Sequence, residues 1–190
     1  MHISFVEFFV IFIMTVVVLM FIRNHYGEVE YVKSNIDERY YLVQKFPDRE
    51  EAADYLADIN ISLIKLVKHM MAKYPNDKNV TQLYQNYNPD SISEGSIESG
   101  YTSYSVNKGE KIILCIRQTD KSFVEKNVVL YVAIHELGHL MTIEIGHTDT
   151  FWFNFKRLLN EAIALQIYHK VNFNEKPEDY CGIKITTSII

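Results

Sequence analysis

Residues 128–141 read Val-Val-Leu-Tyr-Val-Ala-Ile-His-Glu-Leu-Gly-His-Leu-Met, and no other stretch constrains the chain as tightly. An apolar run of that length, without proline, reads as a helix buried on most sides. At 3.6 residues per turn, positions four apart share a face, so His135 and His139 point the same way. Their rings stand about 6 Å apart along the axis, within reach of one metal ion. Glu136 is rotated by roughly 100° from His135. There a carboxylate can take a proton from a water held by the metal. Two ligands and a base on one buried helix point to a hydrolase with a single Zn2+.

The rest of the chain sets the frame for that helix. Its 190 residues suffice for one compact domain with a real core and leave little for a second. A net charge of −5 and the lack of a Lys/Arg cluster give no electrostatic reason to expect direct nucleic-acid binding. Cys115 and Cys181 lie in no C-x-x-C pair and make no disulfide framework; they are expected to be two reduced, partly buried thiols. Residues 3–22 are apolar except for Ser4, Glu7 and Thr15. Twenty helical residues span about 30 Å, the thickness of a bilayer's hydrocarbon core. A cleaved signal peptide would need a basic start and a small-residue cleavage site, which are missing. The expectation is one N-terminal transmembrane helix over 1–23, a single-pass membrane anchor. Arg23 follows the span and no Lys or Arg precedes it, which places the body on the cytosolic side.

Residues 24–46 mix charge with tyrosine and read as a linker that turns helical from Ser34. The body, 47–190, reads as α+β, mainly helical with a small β-sheet. Asp48 can cap a helix in which Ala52, Leu56, Ile59, Leu63, Leu66, Val67 and Met70 recur at three and four as far as Lys73. Tyr74-Pro75-Asn76-Asp77 stops it. A short helix covers 79–86, and 91–100 is an irregular loop. Residues 102–106 and 111–117 read as strands joined by the turn Asn107-Lys108-Gly109-Glu110, the second with one face on the His-Glu helix. That helix is expected to run to Ile145, with Gly146 as a left-handed cap. A further helix carries Phe151, Phe155, Leu158, Leu159, Ala162 and Ile163 inward and reaches Lys170. The tail, 183–187, is β-rich.

Catalytic zinc usually has three protein ligands plus water. His147, just past the helix-ending glycine, is the leading third ligand. Glu161, on the following helix, is the alternative, with Asp149 and His169 behind it. The pattern His135-Glu136-Leu137-Gly138-His139 followed by His147 and Phe151-Trp152 resembles the WLM, SprT and YgjP-like group of minimal zinc metallopeptidases, over about residues 111–164. It is similar also to uncharacterised proteins of that kind in large DNA viruses. The resemblance implies a zincin-like domain over 47–190, a three-histidine site (His135, His139, His147) with Glu136 as general base, and a peptide or protein substrate. It also raises DNA–protein crosslink repair, which the acidic charge disfavours. Those families place about five residues between the second and third histidines and this chain has seven, so Glu161 stays open as the ligand.

Several residues have assignments of their own. Gly138 costs a helix about 1 kcal/mol against alanine, so close packing or the metal's surroundings must require it. Trp152 reads as core. Asp149 either orients an imidazole or caps the next helix. Tyr168, His169 and Tyr131 are candidates for an oxyanion donor. The strand 112–116, by analogy with zinc peptidases, offers a free edge at the cleft rim. The competing class is a non-catalytic, membrane-anchored interaction domain in which zinc only staples the fold.

Overall fold

A computed structural model describes residues 4–26, 29–96 and 102–190. The apolar N-terminal run is helical, α1 (Phe5–Tyr26), and its described side chains are nearly all exposed and join no core. Among the described residues no helix is long and apolar enough to cross a membrane. This overturns the expected single-pass anchor and the membrane localisation drawn from it. Residues 1–3 and the side chains of 22 and 23, also within that expected anchor, lie outside the described residues.

The expected linker is a second correction. It contributes β1 (Val29–Lys33) and β2 (Tyr40–Gln44), paired antiparallel from Val29↔Gln44 to Lys33↔Tyr40. Alternation along β2 turns Tyr41 and Val43 into the core, where both are buried. Ser34, the expected start of a helix, instead donates its hydroxyl to Asp54, as does the Asn35 N–H (both 2.7 Å).

The amphipathic stretch becomes α2 (Arg49–Lys73), with Ala52, Leu56, Ile59, Leu63, Leu66 and Met70 fully buried. Burying a Leu or Ile side chain of this kind is worth about 1.5–3 kcal/mol. Asp48 does not cap it by side chain; its carboxylate accepts from Arg117 at 2.7 and 2.9 Å. α3 (Lys78–Asn86) is capped by Asp77, which accepts from Asn79 and Val80. Then come β3 (Ile92–Glu94), β4 (Ser103–Val106) and β5 (Lys111–Leu114). Of the expected loop at 91–100, residues 97–100 are outside the described ones.

The sheet runs β1-β2-β3-β5-β4, with β2–β3 and β3–β5 parallel and the outer pairs antiparallel. β4 is therefore an edge strand. Arg117, 1% exposed, reaches Glu94 at 2.8 Å as well as Asp48, tying the β3–β5 pair to the start of α2. A buried charge is tolerated only with partners of this kind.

On the other side of the core lie α4 (Lys126–Met141) and α5 (Asp149–Ala164), packed on each other. α4 also packs on β4 and β5, and α2 on β1, β2 and β3. α5 stops six residues before the expected Lys170. Gln166 takes a left-handed φ of 57°, and the Ile167 and Gln166 N–H groups close back onto the Ala162 and Ile163 carbonyls. That is a Schellman ending made without glycine. The chain finishes in a small hairpin, β6 (Glu178–Tyr180) and β7 (Ile183–Ile185). Cys181, in its turn, forms a disulfide with Cys115 at the end of β5, with Cα atoms 6.3 Å apart. This corrects the expectation of two separate thiols: the fold brings the cysteines within bridging range.

Candidate metal centre

The site depends on where α4 ends. Expected at Ile145, it ends at Met141, and Thr142 leaves the helix with ψ 128° while its hydroxyl donates to the Gly138 carbonyl at 2.8 Å. Carbonyls released by an early ending need donors, and distant side chains supply them. Gln82 donates to Leu140 O at 2.9 Å and Asn154 to Met141 O at 3.4 Å. The Lys108 ammonium donates to the carbonyls of Thr142, Ile143 (3.0 Å) and Glu144 (2.9 Å). Gly146 is left-handed, as expected, with φ +88°, but it turns a loop rather than capping a helix. That loop returns His147 to α4. Thr148 then caps α5 by accepting from the Phe151 N–H at 3.3 Å, so the capping role weighed for Asp149 belongs to its neighbour.

Three imidazole nitrogens converge as a result. His135 Nε2 lies 3.2 Å from His139 Nε2 and 3.0 Å from His147 Nε2, and all three ligand atoms fall within 4.8 Å of one another. A tetrahedral zinc with Zn–N of about 2.0–2.1 Å sets its nitrogens about 3.3 Å apart, so the donor set fits that ion. Burial and the neighbouring His139 and His147 push the His135 imidazole down to about 3. Burial, His147 and Lys108 push His139 down to about 4. Near neutral pH both rings carry free lone pairs, the state a metal requires.

Phe151 and Phe155 back the triad. Phe151 stacks on His139 (ring centroids 4.4 Å) and meets His135 at 4.9 Å; Phe155 meets His135 at 5.2 Å. Gly138 explains how they come so close. A Cβ there would lie 3.0 Å from Phe151 Cε2 and 3.4 Å from Phe155 Cβ, so its role is helix-to-helix packing. Trp152, expected in the core, is 41% exposed and lies 5.2 Å from His147.

Glu136 sits beside the triad, 5% exposed. Burial raises its pKa, and hydrogen bonds from the Ser105 hydroxyl and backbone offset this only in part. Glu161 lies elsewhere, accepting from Lys73 Nζ (2.8 and 2.9 Å), Tyr74 Oη (2.6 Å) and His69 Nε2 (2.8 Å). Among the described residues, the side chains that come together closely enough to share one metal ion are His135, His139 and His147, without Glu161. Asp149 is the first residue of α5, and exposed His169 is held through its backbone by Asn127.

The triad and Glu136 open into a cleft of about 570 Å³, bounded on one side by β4 and on the other by the 144–147 loop. Among the described residues the edge strand at the rim is thus β4; the expected strand, 112–116, lies inside the sheet between β3 and β4. None of the three expected oxyanion donors lines this cleft. The Tyr131 hydroxyl is spent on Thr187 O, and Tyr168 is 1% exposed. Sequence reasoning missed Lys108, Gln82, Asn154 and Ser105, whose roles arise only when distant segments meet; the turn position of Lys108 was the only sign.

The WLM domain family model matches residues 35–188. An uncharacterized protein of Acanthamoeba polyphaga mimivirus is 33% identical over 169 residues, covering 86% of this chain and 86% of that protein. Another, of Invertebrate iridescent virus 6, is 32% identical over 99 residues, 50% of this chain and 53% of that one. Among solved structures, Wss1 from Saccharomyces cerevisiae superposes with a TM-score of 0.49 at 20% identity, over 65% of this chain and 86% of that chain. The resemblance to WLM-like proteins with viral relatives is thereby borne out. Matched from the second strand through both site helices to the C-terminal hairpin, this chain belongs to the WLM domain family.

Proposed function

We propose that the protein is a zinc-dependent peptidase, with His135, His139 and His147 as the metal ligands and Glu136 as the general base. The observation that carries this reading is the convergence of three Nε2 atoms beside a buried carboxylate in an open cleft. Zinc held there supplies Lewis acidity toward a carbonyl and acidifies a water. Glu136 takes a proton from the attacking water and delivers it to the departing amine nitrogen as the amide C–N bond breaks. Its neighbour Ser105 holds the carboxylate in place. As the edge strand among the described residues, β4 can bind an extended substrate through main-chain hydrogen bonds, which favours a peptide.

A stapling site is closed by four protein ligands. Here three histidines meet at the cleft, which supports a catalytic site over a zinc-stapled interaction domain. The test is zinc stoichiometry and cleavage of an unfolded protein substrate. Wild type and Glu136→Gln each bind one zinc, and only wild type cleaves. His147→Ala loses the ion and Glu161→Ala keeps it. A wild-type protein that holds one zinc and cleaves nothing would overturn the peptidase reading in favour of the staple.

A further inference from the structure

A second cavity, of about 180 Å³, adjoins the cleft, and Ser103, His135 and Glu136 line both. Tyr131 and Val132 of α4 form one side of it, and Tyr180, Ile183 and Ile185 of the β6–β7 hairpin the other. We propose that this cavity is a specificity pocket for one apolar side chain, from a substrate residue flanking the scissile bond, with the disulfide-fastened hairpin as its outer wall. The proposal rests on the peptidase reading above and adds a substrate preference to it.

Position supports it first. A side chain in the cavity touches the residues that flank the reacting atoms, so its own backbone must lie at the scissile bond. In an extended chain along β4, alternate side chains face the same way, and one of them can enter while its neighbours do not. Chemistry supports it second. The tyrosine hydroxyls within reach are already engaged: Tyr180 Oη with Ser103 Oγ at 2.5 Å, and Tyr131 Oη with Thr187 O at 3.3 Å. Apart from Thr102 and the His135 and Glu136 shared with the cleft, what remains for a guest is aliphatic and aromatic surface. Size supports it third, since 180 Å³ is below the roughly 300 Å³ at which drug-sized sites begin and suits a single side chain.

The wall is anchored, as a selective pocket requires. Cys181 in the hairpin turn is bonded to Cys115, its N–H donates to Gln118 Oε1 at 3.1 Å, and Gln118 Nε2 donates to Asp179 O at 2.8 Å. Tyr180 is 1% exposed, whereas Ile183 is 52% exposed. The hairpin is thus fixed along β6 and at its turn and presents β7 to the guest.

The experiment uses the full, zinc-loaded chain and a peptide library unbiased in sequence, with cleavage sites read by mass spectrometry. Leu, Ile, Met or Phe should be enriched at one position flanking the cut, about tenfold or more over Asp. Val132→Trp and Ile185→Trp, which fill the cavity from opposite sides, should each shift that preference to Gly or Ala. Cys181→Ser should weaken the selectivity without changing its sense. Cleavage indifferent at both flanking positions, or a preference unmoved by both tryptophans, overturns the pocket and leaves the peptidase reading standing. If wild type cleaves nothing, the peptidase reading fails and binding decides the pocket. Calorimetry with short peptides differing only in Leu or Asp should then show at least tenfold tighter binding for Leu, and equal binding overturns it.

Discussion

Glu136 and Glu161 sit on two packed helices and are buried to nearly the same degree, 5% and 7% exposed, yet their surroundings push them in opposite directions. Around Glu136 burial dominates, and the carboxyl is raised. Burial would raise Glu161 too, but hydrogen bonds from Lys73, Tyr74 and His69 outweigh it and hold the carboxyl at about 2. Glu161 has partners that fully use its charge, so it serves the fold. Glu136 is left with weak partners beside an open cleft, the condition in which a carboxylate can exchange a proton with a reactant. Burial alone does not separate the carboxyl proposed as general base from the one tied into the fold; the company it keeps does.

The largest expected effect tests that division directly. Glu136→Gln should lower kcat/KM by about 10²–10⁴-fold, the usual worth of a general base, and leave the melting temperature unchanged or raised. Glu161→Gln should do the reverse, with kcat/KM within about threefold of wild type at a temperature where both are folded. Loss of activity in both variants at equal stability would erase the distinction.

Next is stability against pH. Glu161 is held at about 2 against an ordinary 4.5, so it stabilises the folded state fully above 4.5, and the gain disappears as pH falls toward 2. The worth is about 3 kcal/mol at most. Metal-free wild type should therefore lose stability steeply between pH 4.5 and 2 in urea titrations. In Glu161→Gln that limb should flatten, because the group that takes up the proton is gone. Glu136 has the opposite sign. Its raised carboxyl costs stability above 4.5, and the cost falls away on acidification, so Glu136→Gln should gain stability at neutral pH. Equal acid limbs in wild type and Glu161→Gln would show that the Lys73–Tyr74–His69 cluster does not hold that charge.

How much of this was readable beforehand follows from the range of each interaction. The His135/His139 pair is an i, i+4 relation, and α2 and α3 carry their periodicity and stop signals locally, so the sequence alone placed them. The end of α4 was not readable. Met141 is terminal because Gln82, Lys108 and Asn154 take the freed carbonyls, and those donors come from three other segments. β1 and β2 escaped notice although they pair locally, from Val29↔Gln44 to Lys33↔Tyr40; only their link to the rest of the sheet, Leu42↔Ser93, spans some fifty residues. Cys115 and Cys181 are separated by 66 residues, and counting cysteines could not show that a hairpin turn lands on the end of β5. The glutamates illustrate both limits. The motif identified Glu136, while Glu161 matched a common ligand position and only its distant partners removed it from the site.

A smaller effect is expected at Lys108, which holds the loop carrying His147 through the Thr142, Ile143 and Glu144 carbonyls and also lines the cleft. Lys108→Met keeps the length of the side chain and removes its donors. Zinc affinity, measured by competition with a chelator, should fall about 10–100-fold, the range seen when a supporting partner of a metal ligand is lost. The acid limb assigned to Glu161 should not move. A matching loss from Lys73→Met would mean that the two regions are coupled and that the comparison is too sharp.

Gly138→Ala should have the smallest effect, and it probes the seam between the regions. Alanine gains about 1 kcal/mol of helix propensity, while a new methyl 3.0 Å from Phe151 Cε2 overpacks the contact by about 1–3 kcal/mol. The net loss of stability should be small, on the order of 1 kcal/mol. Phe151 has little freedom to yield, because it is fully buried and stacks on His139. Any movement of that ring is passed to an imidazole of the triad. Glu161 lies nearly three turns further along α5, among partners that the added methyl does not touch. Zinc affinity should therefore fall several-fold while the pH 4.5 to 2 limb keeps its slope. A changed slope with zinc affinity intact would show that the α4–α5 contact serves the structural glutamate rather than the metal centre.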